Sequence, residues 1–126
     1  MTACTAIAVA ARGLIRSPPM DSTFIAVCSL ADIPLPGARV IERPHHPDGN
    51  VALFRTAENR VFAVLDRCPH KGGPLSQGIV YGGRVACPLH NWSIELASGA
   101  AVAPDVGCAR TYPVNVERGI VFVALR

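Results

Sequence analysis

Two cysteine-histidine pairs constrain this chain more than any other feature. They are Cys68-Pro69-His70 and Cys87-Pro88-Leu89-His90, separated by residues 71–86. That is metal-ligand spacing. Prolines and glycines stand beside each pair, which suits a fixed loop rather than the interior of a helix or strand. Alternating β-branched segments such as Arg60-Val61-Phe62-Ala63-Val64-Leu65 flank the pairs. Two loops would therefore project from a β scaffold, and four ligands would converge between them.

Two thiolates and two imidazoles suit either one tetrahedral zinc or a dinuclear [2Fe-2S] cluster in which histidines serve one iron. Zinc sites usually take like ligands from each half, Cys-x2-Cys and then His-x3-5-His. Here each loop offers one Cys and one His, the arrangement a dinuclear cluster needs, with both loops reaching both irons. Arrangement thus favours the cluster, with zinc as the other candidate. Only Cys68 and Cys87 of the five cysteines adjoin histidines. An odd count fits a disulfide framework poorly and a reducing cytosol better.

The rest of the chain reads as all-β, a sandwich or barrel of short strands with almost no helical periodicity. Strands are expected at residues 23–29, 39–43, 50–56, 60–66, 92–96, 110–117 and 120–125, the first buried on both faces or nearly so. Residues 78–81 and 84–86 flank Gly82-Gly83, a two-residue hairpin turn. Asp48-Gly49 is a further hairpin signal. Residues 1–19 contain no acid and carry a small apolar run at 6–11. They are expected to form a poorly ordered N-terminal extension to a single domain at 20–126. No apolar run is long enough for a membrane span. The 12 Lys and Arg are scattered and aromatic content is 6%, which argues against nucleic acid as a partner.

The stretch Cys68-Pro69-His70-Lys71-Gly72-Gly73-Pro74-Leu75, followed by Cys87-Pro88-Leu89-His90, resembles the Rieske iron-sulfur motif. The resemblance implies an antiparallel β fold with a [2Fe-2S] cluster at the tip of two loops. It assigns Cys68 and Cys87 to the inner iron and His70 and His90 to the outer one. Gly72 and Gly73 are expected to allow positive φ and close backbone approach, and Pro74, Pro88 and Pro104 to stiffen the loops. Relatives in respiratory cytochrome complexes carry an extra Cys in each loop, where this chain has Gly73 and Leu89. They also place hydrogen-bond donors where Trp92 and Ile94 stand. Fewer donors to the sulfurs predict a potential at the low end of the Rieske range, roughly −150 to +50 mV.

The longer pattern is similar to the small subunit of assimilatory NAD(P)H-dependent nitrite reductase. It adds Leu75-Ser76-Gln77-Gly78, Asn91-Trp92 and Gly107-Cys108-Ala109-Arg110-Thr111-Tyr112-Pro113-Val114. This resemblance implies a cytoplasmic electron carrier for nitrate assimilation, with no substrate site of its own. Its partner would be a large subunit holding sirohaem, FAD and a further iron-sulfur cluster. The alternative is a Rieske ferredoxin supplying a ring-hydroxylating dioxygenase. A catalytic second iron is not expected, because the remaining histidines, His45 and His46, are adjacent in a proline-bounded loop and read as solvent-exposed. Lys71 reads as a loop-tip residue, Trp92 as either a shield for the cluster or a core aromatic, and Cys28 and Cys108 as buried free thiols.

Overall fold

The computed structural model describes residues 23–69, 72–88, 92–103 and 106–125. The expected N-terminal extension at 1–19 lies outside them. Ten strands build the described chain: β1 Phe24–Ser29, β2 Gly37–Ile41, β3 Val51–Arg55, β4 Val61–Leu65, β5 Ile79–Tyr81, β6 Arg84–Ala86, β7 Ser93–Glu95, β8 Thr111–Tyr112, β9 Val114–Glu117 and β10 Ile120–Ala124. Among the described residues helical structure is confined to two 3-10 turns, Leu30–Asp32 and Leu75–Gln77. No helix among the described residues is long and apolar enough to cross a membrane.

The strands form three antiparallel sheets, ordered β1-β10-β9, β2-β3-β4-β8 and β5-β6-β7. The second lies between the other two, and β3 shows why. Successive strand residues point to opposite faces. Val51 and Leu53 join the core shared with the first sheet, while Ala52 and Phe54 join the core shared with the third. All four are fully buried, so the uninterrupted apolar run Val51-Ala52-Leu53-Phe54 reflects a strand covered on both sides. Register on β4 agrees. Ala52 pairs with Val64 on one face, and Leu53 pairs with Ala63 on the other.

Two local expectations need correcting. Among the described residues β1 pairs only with β10 at a sheet edge, and Ile25 on it is 49% exposed rather than buried. The span 110–117 is two strands: β8 pairs with β4, β9 pairs with β10, and the chain changes sheet at Pro113. Proline lacks the N–H that a continuing ladder needs. Asp48-Gly49 lies in the connection of the antiparallel β2-β3 hairpin, as its turn signal implied. Tyr81 likewise pairs directly with Arg84 across Gly82-Gly83 as expected.

Gly99 shows how tightly the returning segment is held. Its φ is +79°, its carbonyl accepts the Ala109 amide at 2.7 Å, and a Cβ there would overlap the Ala109 carbonyl oxygen. Gly99→Ala is expected to destabilise the fold by about 1–2 kcal/mol from the left-handed backbone alone, with the overlap adding to it. Urea unfolding measures this, and an unchanged midpoint would contradict it.

Candidate metal centre

Both predicted cysteine ligands stand in one place. Cys68 is 2% exposed and Cys87 1%, and both belong to the core cluster that contains Ala52, Phe54, Val64, Leu75, Val85, Ile94, Leu96 and Ala109. Neither is disulfide-bonded. β4 delivers the chain to Cys68, and β6 delivers it to Cys87. The predicted histidine ligands His70 and His90 lie outside the described residues, as do Lys71, Leu89 and Pro104. Without the two histidines, no group of three or more His, Cys, Asp and Glu suited to a metal occurs among the described residues.

The two loops close in the same way. The Cys68 amide donates to the Gly73 carbonyl at 2.8 Å, and the Cys87 amide donates to the Trp92 carbonyl at 2.7 Å. Each bond spans five residues and encloses one of the histidines. The first loop has a second closure, the Gly72 amide donating to the Cys68 carbonyl at 2.9 Å. Gly72 makes this turn with φ +77°, whereas Gly73 is not among the residues with positive φ, so only the first of the pair uses glycine's freedom. Pro74 precedes the 3-10 turn Leu75–Gln77, and Leu75 buries completely beneath the loops.

Asp66 was not singled out by the sequence pattern, yet it grips the far side of the first loop. Its two carboxylate oxygens accept from the Ser76 amide at 2.7 Å and the Ser76 hydroxyl at 2.8 Å. Its own amide donates to the Asn50 carbonyl at 2.9 Å. Gly107 was missed too. A Cβ there would stand 3.1 Å from Pro69 Cβ, so residues 106–108 pack against the first loop between its two ligand positions. The Ala101 amide donates to the Gly107 carbonyl at 2.8 Å and holds this third segment in place.

Trp92 is half-buried and packs on the cysteine-containing core, which is the core-aromatic role of the two weighed for it. Ile94 is fully buried in the same core. His45 and His46 are exposed as expected, and His46 Nδ1 accepts the Asp48 amide at 3.0 Å. Cys28 is unpaired but only half-buried, and burial pushes its thiol pKa up while Arg39 opposes the shift. Cys108 departs from expectation: it is half-buried and disulfide-bonded.

The donor chemistry fits an iron-sulfur group. Two thiols, neither in a disulfide, are sequestered in apolar surroundings where a thiolate is costly unless a metal compensates its charge. Buried cysteine is otherwise inert, but these two also begin loops of identical closure, each of which contains a histidine.

Comparison with known proteins identifies the family. The family model described as "Rieske [2Fe-2S] domain" matches residues 23–113. The ferredoxin subunit of 3-phenylpropionate/cinnamic acid dioxygenase from Photorhabdus laumondii is 37% identical over 101 residues, covering 79% of this chain and 91% of that one. The 4beta-methylsterol monooxygenase of Methylococcus capsulatus is 36% identical over 96 residues, but the match spans only 26% of its length and 68% of this chain. Among solved structures, one provisionally assigned as the small subunit of an NADPH nitrite reductase superposes with a TM-score of 0.69 at 28% identity. That superposition covers 79% of this chain and 96% of the other.

Proposed function

Because this chain belongs to the Rieske [2Fe-2S] domain family, we propose that Cys68, His70, Cys87 and His90 hold its cluster and that the chain is the electron-transfer small subunit of an assimilatory NAD(P)H nitrite reductase. Electron transfer in an oxidoreductase system is the role of the domain, and a Rieske-type [2Fe-2S] cluster is its cofactor. When bound, the cluster supplies one-electron transfer. The protein's own residues close the two loops, bury the thiolates and keep bulk water from beneath them with Leu75, Val85 and Ile94.

One observation carries the nitrite reductase reading. Gly107, which opens the segment 107–114 of the longer resemblance, lies against Pro69 in the first ligand loop. The structural neighbour assigned as a nitrite reductase small subunit matches over almost its whole length and supports the same reading. A second reading, a ferredoxin for a ring-hydroxylating dioxygenase, draws on the 37% identical dioxygenase ferredoxin subunit.

Reconstitution separates the two. The purified chain, added to a sirohaem- and FAD-containing nitrite reductase large subunit, is expected to support NAD(P)H-dependent conversion of nitrite to ammonium. If it supports hydroxylation by an oxygenase and leaves nitrite unreduced, the first reading is wrong. The potential is a further check. Ile94 brings no side-chain donor to the sulfurs, so the midpoint is expected at roughly −150 to +50 mV. A redox titration centred above +200 mV would contradict that account.

A further inference from the structure

We infer that Asp66 is a positioning residue for the cluster, acting through Ser76 to fix the span of the first ligand loop. The inference rests on Cys68 and His70 being ligands. Asp66 ends the run out of β4 and Ser76 lies in the turn that follows the loop, so their side-chain contact clasps residues 67–75 at the base. The clasp is bidentate, with one carboxylate oxygen on the Ser76 amide and the other on the Ser76 hydroxyl. It is anchored in turn, because the Asp66 amide donates to the Asn50 carbonyl just ahead of β3.

Other restraints act elsewhere. The amides of Cys68 and Gly72 close the loop internally, and Gly107 supports it from the side at Pro69. Neither reaches the 3-10 turn that follows the loop. Asp66 does, and neither of the two ion pairs formed by the described residues uses it. A part-buried carboxylate in short, charge-assisted bonds to a backbone amide and a hydroxyl is a strong and directional restraint. Supporting residues of this kind typically change metal affinity by 10–100-fold when removed.

A graded series tests this. Asp66→Ala removes both bonds, and Ser76→Ala removes only the hydroxyl bond. Asp66→Asn can keep both, accepting the Ser76 amide through its carbonyl and donating its side-chain N–H to the hydroxyl. Two readouts apply to the full chain. In the iron-free protein, hydrogen exchange at the Cys68 and Ser76 amides is expected to accelerate roughly tenfold or more in Asp66→Ala. It should change less in Ser76→Ala and recover in Asp66→Asn, while Val121 and Val123 in the other core stay at the wild-type rate. After anaerobic reconstitution, Asp66→Ala is expected to lose its cluster roughly tenfold faster or more and to give a broadened paramagnetic resonance signal when reduced, with Asp66→Asn restoring both. Wild-type exchange and wild-type cluster lifetime in Asp66→Ala would overturn the inference, as would equal acceleration in both cores. Failure of the unaltered protein to take up iron would instead overturn the ligand assignment itself.

Discussion

Cys68→Ser and Cys87→Ser are each expected to yield folded protein with cluster occupancy reduced by at least about 100-fold, since loss of mere supporting partners already costs 10–100-fold. Serine is a near-isostere of cysteine, so the core around either position closes with little rearrangement. Its hydroxyl stays protonated at neutral pH, however, and cannot replace a thiolate as a soft ligand to iron. Exposures of 2% and 1% leave no room for an alternative ligand to approach from solvent. Iron content, visible absorption and paramagnetic resonance of anaerobically purified variants measure the effect. An unaltered spectrum in either variant would remove that cysteine from the ligand set.

The second large effect is expected at Phe54. This side chain is fully buried in the middle of β3, on the face that also packs Cys68 and Cys87. Phe54→Ala is expected to lower stability by about 3–5 kcal/mol, combining lost transfer energy with an unfilled cavity. The cavity would open in the core that also contains both cysteines, so cluster lifetime should fall together with stability. Leu53→Ala makes the informative contrast. Leu53 is equally buried but faces the other core, so it should cost about 2–5 kcal/mol with a smaller effect on the cluster of the folded protein. Denaturant unfolding and the rate of bleaching measure the two quantities separately. Equal bleaching in both variants at matched folded fraction would contradict this division of the core.

The sequence was most legible where chemistry and local geometry coincide. The Cys-His pairs pointed to a Rieske-type cluster, as the family match bears out, because few other arrangements put one soft and one nitrogen ligand in each of two loops. Gly82-Gly83 named its hairpin because a two-residue turn demands positive φ, and Gly82 has φ +54°. Less legible were features that depend on what lies across the fold. Alternation cannot show that β1 is at an edge, nor that the strand before Pro113 and the strand after it belong to different sheets. Asp66 was invisible for the same reason. Its partner lies beyond a complete ligand loop, and only the pairing of an acid two residues before the first Cys with the Ser of Pro74-Leu75-Ser76 hinted at it. Cys108 looked like a free thiol because no neighbour in sequence marks a partner, yet it is in a disulfide.

The position of β3 has a thermodynamic corollary. Since Val51, Ala52, Leu53 and Phe54 serve alternate cores, neither half of the molecule can melt and leave the other with an intact wall. Scanning calorimetry of the cluster-free chain should therefore show one endotherm whose van't Hoff and calorimetric enthalpies agree.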